Sequence, residues 1–137
     1  GIKWPSKFKC FPCVPHPEVL HESYVKAIQS RSSNIVLLNK NNLDLSTTRS
    51  VEIPAFGGLA LYPSTSDHEW LLGKELNFLI YKNTPQLIEK INFLSLDFEF
   101  AKEIRSKLRS RLKKLKLSST DSIKRQIRSL KIKDLNI

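Results

Sequence analysis

The chain has 137 residues, enough for one domain with a core of its own, and its 40% hydrophobic content with two Trp and seven Phe excludes a disordered polymer. No run nears the roughly 18 consecutive apolar residues of a membrane-spanning helix, and Trp4 and Pro5 interrupt the start before the apolar core of a signal peptide forms. Of the 23 Lys/Arg and 13 Asp/Glu, residues 102–137 hold 13 and 3, so the net charge of +10 sits entirely on the C-terminal stretch and residues 1–101 are balanced.

Residues 3–17 contain four Pro and no apolar periodicity, and are expected to be an extended loop. Within and just after it, Cys10, Cys13, His16 and His21 offer four possible zinc ligands in twelve residues. A single Cys-x-x-Cys beside two His is weak evidence for a metal, because the prolines stiffen the loop against convergence. A redox role needs this motif at a helix start after a strand, which the loop does not provide, so reduced thiols are the favoured reading.

A helix is expected over about 18–30, with Leu20, Tyr24, Ala27 and Ile28 recurring at three and four. Asn34–Leu38 is a short apolar run of the kind found in strands covered on both faces. After a polar turn at 39–44, Ser46, Thr47 and Thr48 offer N-caps for a helix reaching Phe56, which Gly57 stops. A second strand is expected at 59–62. Asp67 then caps a short helix from His68 to Leu72, and a third strand covers 76–81. Thr84 is expected to cap a helix with Pro85 in its first turn, and Asp97 to open a long helix with a stripe of Ala101, Ile104, Leu108, Leu112 and Leu115. A final helix would carry Ile123, Ile127 and Leu130.

Alternating strands and helices of this length predict an α/β fold, a Rossmann-like parallel sheet with helices on both faces and a C-terminal helical extension. Residues 1–101 form a partial Rossmann-like domain in this reading, and 102–137 a basic extension packed on it. Three strands are few for such a sheet, and the chain has no Met. The first strands are therefore expected to lie before Gly1, which would follow an internal cut.

The most specific segment runs from Ser46 to Gly58. A helix start leaves backbone N–H groups unpaired and carries partial positive charge, which suits a diphosphate. Thr47, Thr48 and Arg49 would add donors and a cation there. Glu52, one turn on, could accept both hydroxyls of a ribose, and Gly57 and Gly58 allow close backbone approach. The plain alternatives are ordinary capping by Ser and Thr, and a surface ion pair between Arg49 and Glu52. Pro54 breaks helix propensity and should kink the helix, an irregularity of the sort that gathers at functional sites.

The pattern Thr47-x-Arg49-x-x-Glu52-Ile53-Pro54-Ala55-x-Gly57 resembles the C-terminal domain of spore-maturation-type glycosyltransferases, related to the glycosyl transferases group 1 family. These belong to the GT-B group, whose two Rossmann-like domains face each other across a cleft. The resemblance extends over Tyr24 to Asn39, over Gly73-Lys74-Glu75 to Tyr81, and to a closing segment around Arg125. It implies that the chain binds a nucleotide diphosphate sugar as donor, with Glu52 on the ribose and Thr47, Thr48 and Arg49 on the diphosphate. Phe56 departs from the pattern, where a small residue is usual, and narrows the space behind the helix. The acceptor domain is not in this sequence, so no catalytic base is named and the chain alone is expected to be inactive.

His68 on its short helix could touch a phosphate or sugar, although a solvated surface histidine is the favoured reading. Glu69 and Glu75 could accept from sugar hydroxyls or serve as caps. The Asp-x-Asp metal motif of the other major glycosyltransferase fold is absent, and neither a catalytic metal nor a cofactor is expected beyond the donor itself. The competing function is a non-catalytic α/β binding module whose basic C-terminal helices contact nucleic acid, anionic membrane or a partner protein. From Lys102 onward no aromatic residue is available to stack on bases, which disfavours nucleic acid. A cytoplasmic location is expected, with weak contact to anionic membrane compatible with it.

Overall fold

Three strands, β1 (Asn34–Ile35), β2 (Ala60–Pro63) and β3 (Ile80–Tyr81), form a parallel sheet in the order 1-2-3. Among the described residues five α-helices flank it: α1 (His21–Gln29), α2 (Thr48–Ala55), α3 (Ser66–Leu72), α4 (Thr84–Leu96) and α5 (Phe98–Leu115). The structure, a computed structural model, describes residues 19–117. Cys10, Cys13, His16, the Ile123, Ile127 and Leu130 stripe and Arg125 lie outside them.

Successive strand residues point to opposite faces, so full burial of Leu59, Ala60, Leu61 and Tyr62 means the middle strand is covered on both sides. Ile53 of α2, Leu71 and Leu72 of α3, and Ala101, Ile104, Leu108 and Leu112 of α5 belong to the same core. The apolar stripe expected on the long helix is thus buried, and that helix runs unbroken through residues 101 and 102. Two of its cations serve the fold. Arg105 donates to the carbonyls of Arg31 and Ser32, and Arg111 donates to those of Leu71 and Trp70 at the end of α3.

Several boundaries differ from expectation. The run 76–81 is a strand only at Ile80–Tyr81, and Lys74–Leu79 form a 3-10 helix. Leu76 and Leu79 are buried three residues apart while Phe78 is exposed, a spacing of three rather than two. Thr65, not Asp67, caps α3, its hydroxyl accepting from the His68 N–H at 3.2 Å. Asn83, not Thr84, caps α4 by accepting from Gln86 N–H at 3.0 Å. Asp97 caps α5 as expected.

The first ladder stops after Ile35, short of the expected Leu38, because of a proline in the neighbouring strand. Asn34 and Val36 donate to Leu59 and Leu61. The parallel pattern would next have the Val36 carbonyl accept from residue 63, but Pro63 has no N–H. The Tyr81 hydroxyl donates to that carbonyl instead, at 3.0 Å. The same repair occurs in α2. Pro54 cannot donate to Ser50, four residues back, and the buried Tyr62 hydroxyl donates to the Ser50 carbonyl at 3.1 Å.

Tyr62→Phe leaves that carbonyl buried and unpaired, and is expected to lower stability by about 1–3 kcal/mol. Adding Pro54→Ala supplies the missing helical N–H and should recover part of the loss. Urea denaturation of the two variants checks both outcomes, and equal stability of Tyr62→Phe and wild type would remove the repair.

Candidate functional site

The N-terminus of α2 lies at the carboxyl edge of the sheet, beside the start of α3. Ser46 Oγ donates to Asp67 Oδ2 at 2.9 Å, and Thr65 Oγ1 donates to the Leu45 carbonyl at 2.7 Å. Because only two residues separate the end of β2 from the start of α3, these bonds hold the segment entering α2 over the end of the middle strand. Inside the first turn of α2, the N–H groups of Thr48 and Arg49 have no partner within the helix.

Thr47 is the N-cap, in extended conformation, with its N–H donating to Ser50 Oγ at 3.1 Å. Its own Oγ1 is buried and faces the Ser50 N–H in a capping-box arrangement without completing a hydrogen bond. Thr48 is exposed in the first turn. Arg49, with 53% of its side chain exposed, leans towards α1. Its Nη1 donates to Glu52 Oε2 and to the Tyr24 hydroxyl, both at 2.5 Å, and its guanidinium carbon sits 4.5 Å from the centre of the Tyr24 ring. Burial raises the Tyr24 phenol above its ordinary pKa; Arg49 lowers it and Glu52 raises it. Arg49 and Glu52 therefore form the ion pair their spacing allows, on a surface open to solvent.

The two glycines do not join this group. Gly57 and Gly58 follow the far end of α2, about 13 Å along the helix at 1.5 Å per residue. Gly57 has φ +86°, the left-handed turn that ends the helix. A Cβ at Gly58 would lie 2.3 Å from Ile28 Cγ2 and 2.9 Å from Ile53 Cγ2, so this position seats α1 against α2. Phe56 meets Tyr24 edge-on, ring centres 6.3 Å apart, and fills the space between these helices.

His68 is fully buried rather than solvated. Its Nδ1 lies 2.8 Å from the Pro63 carbonyl, which only accepts, so Nδ1 carries the proton. In the neutral ring Nε2 then accepts from Ser50 Oγ at 2.8 Å. Burial holds the imidazole below its ordinary pKa; the Pro63 hydrogen bond and the Asp67 carboxylate act the other way. Ser50 and His68 are the pair that sequence reasoning missed. A Ser three residues after a Thr cap was visible as a capping signal, but nothing local reveals that its hydroxyl meets a ring eighteen residues on.

Glu69 is exposed and accepts from Ser64 Oγ at 3.4 Å, and Glu75 is exposed in the 3-10 helix; no hydrogen bond links either to the first turn of α2. Among the described residues no group of three or more His, Cys, Asp or Glu is placed to hold a metal ion, and no helix is long and apolar enough to cross a membrane.

A parallel sheet with helix starts gathered at its carboxyl edge defines a Rossmann-like protein, of the kind that binds ligands at that edge. Residues 1–119 match the glycosyl transferase-like family, and the chain belongs to it, which gives it a role related to glycosyl transfer. Neither a curated protein nor a solved structure matches the chain.

Proposed function

We propose that the chain is the donor-binding part of a glycosyltransferase, taking a nucleotide diphosphate sugar whose diphosphate rests on the first turn of α2. The observation that carries this reading is the position of that turn: at the carboxyl edge of a parallel sheet, with two N–H groups unused by the helix and Arg49 beside them. Arg49 needs only to exchange Glu52 and Tyr24 for phosphate oxygens, which its exposure permits. Glu52, released from the pair, then accepts from the ribose hydroxyls. Within the family, the Thr47 to Gly57 pattern favours the spore-maturation-type members.

In the transfer, an acceptor hydroxyl oxygen bonds to the anomeric carbon as the bond from that carbon to the diphosphate breaks. The diphosphate leaves with the bonding electrons, and the first turn of α2 with Arg49 stabilises the charge it gains. The acceptor's proton passes to a base that belongs to the acceptor domain. The second reading, a basic binding module, would draw on the exposed α5 cations Arg109, Lys113 and Lys114, since Arg105 and Arg111 are engaged with backbone carbonyls and the apolar stripe is buried.

A charged hydrogen-bond partner is worth about 1.5–3 kcal/mol. Arg49→Ala and Glu52→Ala are each expected to weaken binding of uridine or guanosine diphosphate about tenfold or more by calorimetric titration. A chain that binds neither nucleotide, or two variants that bind as wild type does, would overturn the assignment.

A further inference from the structure

Ser50 is the residue through which the start of α2 is fixed, and every polar group it has is occupied. Its N–H donates to the Thr47 carbonyl at 3.0 Å, its carbonyl accepts from Tyr62, and its Oγ accepts from the Thr47 N–H. The one remaining function, the Oγ–H proton, goes to His68 Nε2. Through that bond the ring of α3 sets the direction of the Ser50 hydroxyl, and the hydroxyl in turn holds the N-cap of α2. Pro63 O fixes the ring from the other side, so the chain of bonds runs from the end of β2 to the first turn of α2 without a gap.

We propose that His68 is a positioning residue for the phosphate-binding turn, holding it in shape as a neutral ring that accepts the Ser50 proton. The inference rests on the reading of that turn as the donor site and adds a regulation to it. Protonation at Nε2 would turn the acceptor into a donor. Ser50 Oγ would then face two donors, Thr47 N–H and His68 Nε2–H, while its own proton lost its acceptor in a buried setting. The titratable groups facing the ring are Tyr62 of β2, whose ring centre is 5.1 Å away, and Asp67 of α3 itself; α2 presents the Ser50 hydroxyl. Burial raises the Tyr62 phenol far above its ordinary range, so it stays neutral throughout. Asp67 favours the imidazolium, but burial is the larger influence.

The sign follows. A base whose pKa is lowered on folding stabilises the fold most above its ordinary value near 6.5, and that contribution fades as pH falls below it. Donor affinity should fall only at the acid end of that window, where the ring of the folded chain itself takes up a proton and disturbs the turn that holds the diphosphate.

The test uses the full 137-residue chain and two probes, a uridine diphosphohexose and a guanosine diphosphohexose, whose diphosphate charge does not change between pH 5.5 and 8. His68→Gln can donate to Pro63 O and accept from Ser50 Oγ without titrating. It is expected to bind within about threefold of wild type at pH 7.5 and to keep that affinity at pH 5.5, where wild type weakens as its ring begins to protonate, by up to about tenfold for the full loss of one hydrogen bond. Ser50→Ala, which keeps the helix but removes the hydroxyl, should weaken binding about three- to tenfold at both pH values. Circular dichroism confirms that the folded fraction is compared in each case. If Arg49→Ala weakens binding while wild type and His68→Gln share one pH profile, His68 is a structural residue only and this proposal falls, with the donor site intact. If wild type binds neither probe at either pH, the donor-site reading falls and takes the proposal with it.

Discussion

Leu108→Asp is expected to lower stability by about 4–5 kcal/mol or more. Leu108 has no exposed surface and stands in the middle of the α5 stripe, between Ile104 and Leu112. Removing a buried leucine costs about 2–5 kcal/mol through lost transfer energy and the cavity left behind. An aspartate adds the cost of a polar group with no partner, whether it stays ionised or takes up a proton. Domains of this size have only about 5–15 kcal/mol in total, so the variant loses between roughly a quarter and all of its stability. The matching control is Arg109→Asp on the exposed face of the same helix, which should shift the melting temperature little. Thermal and urea melts of the two variants decide the matter. A loss under about 1 kcal/mol at Leu108 would mean that α5 is not part of the core.

Gly58→Ala is the second substitution expected to be severe, although it adds one methyl group. The backbone at Gly58 is not left-handed, so the obstacle is space. The new Cβ would meet Ile28 Cγ2 at 2.3 Å, and Ile28 is a buried, β-branched residue with little freedom at χ1. Overpacking of this kind costs about 1–3 kcal/mol and occasionally more. Ile28→Leu removes the branch that clashes. The double variant should therefore be more stable than the sum of the two single losses predicts, a coupling that a double-mutant cycle measures. Strict additivity would show that α1 and α2 do not meet at this glycine.

The sequence makes the helices easy to find and the strands hard, for a physical reason. The α5 stripe is fixed by its own spacing, and Ala101, Ile104, Leu108 and Leu112 face inward as that spacing requires. Strand limits depend on the partner. Nothing in Asn34–Leu38 signals that pairing ends early, because the cause is Pro63 in the neighbouring strand. At 76–81 an apolar run served equally well as strand or as a tight helix, and the burial of Leu76 and Leu79 settles on the second for most of it. At the candidate site, the helix and its stop at Gly57 were legible, as was the spacing of Arg49 and Glu52, while the cap was narrowed only to Ser46, Thr47 or Thr48. The packing role of Gly58 and the burial of His68 were not, since both depend on atoms brought in from α1, α2 and β2.

The two tyrosines that stand in for missing proline N–H groups carry a consequence for how the molecule opens. Each hydroxyl comes from a strand later in the chain than the carbonyl it serves: Tyr62 of β2 closes α2, and Tyr81 of β3 closes β1. Detachment of β3 alone would therefore leave the Val36 carbonyl beside β2 unpaired, and detachment of β2 would loosen α2 as well. Local openings that release only one layer are suppressed, and the strands and α2 should exchange their amide hydrogens as a single unit. The slow-exchanging protons of Asn34 and Val36 would then share one opening free energy with those of α2, rather than forming a separate, weaker edge.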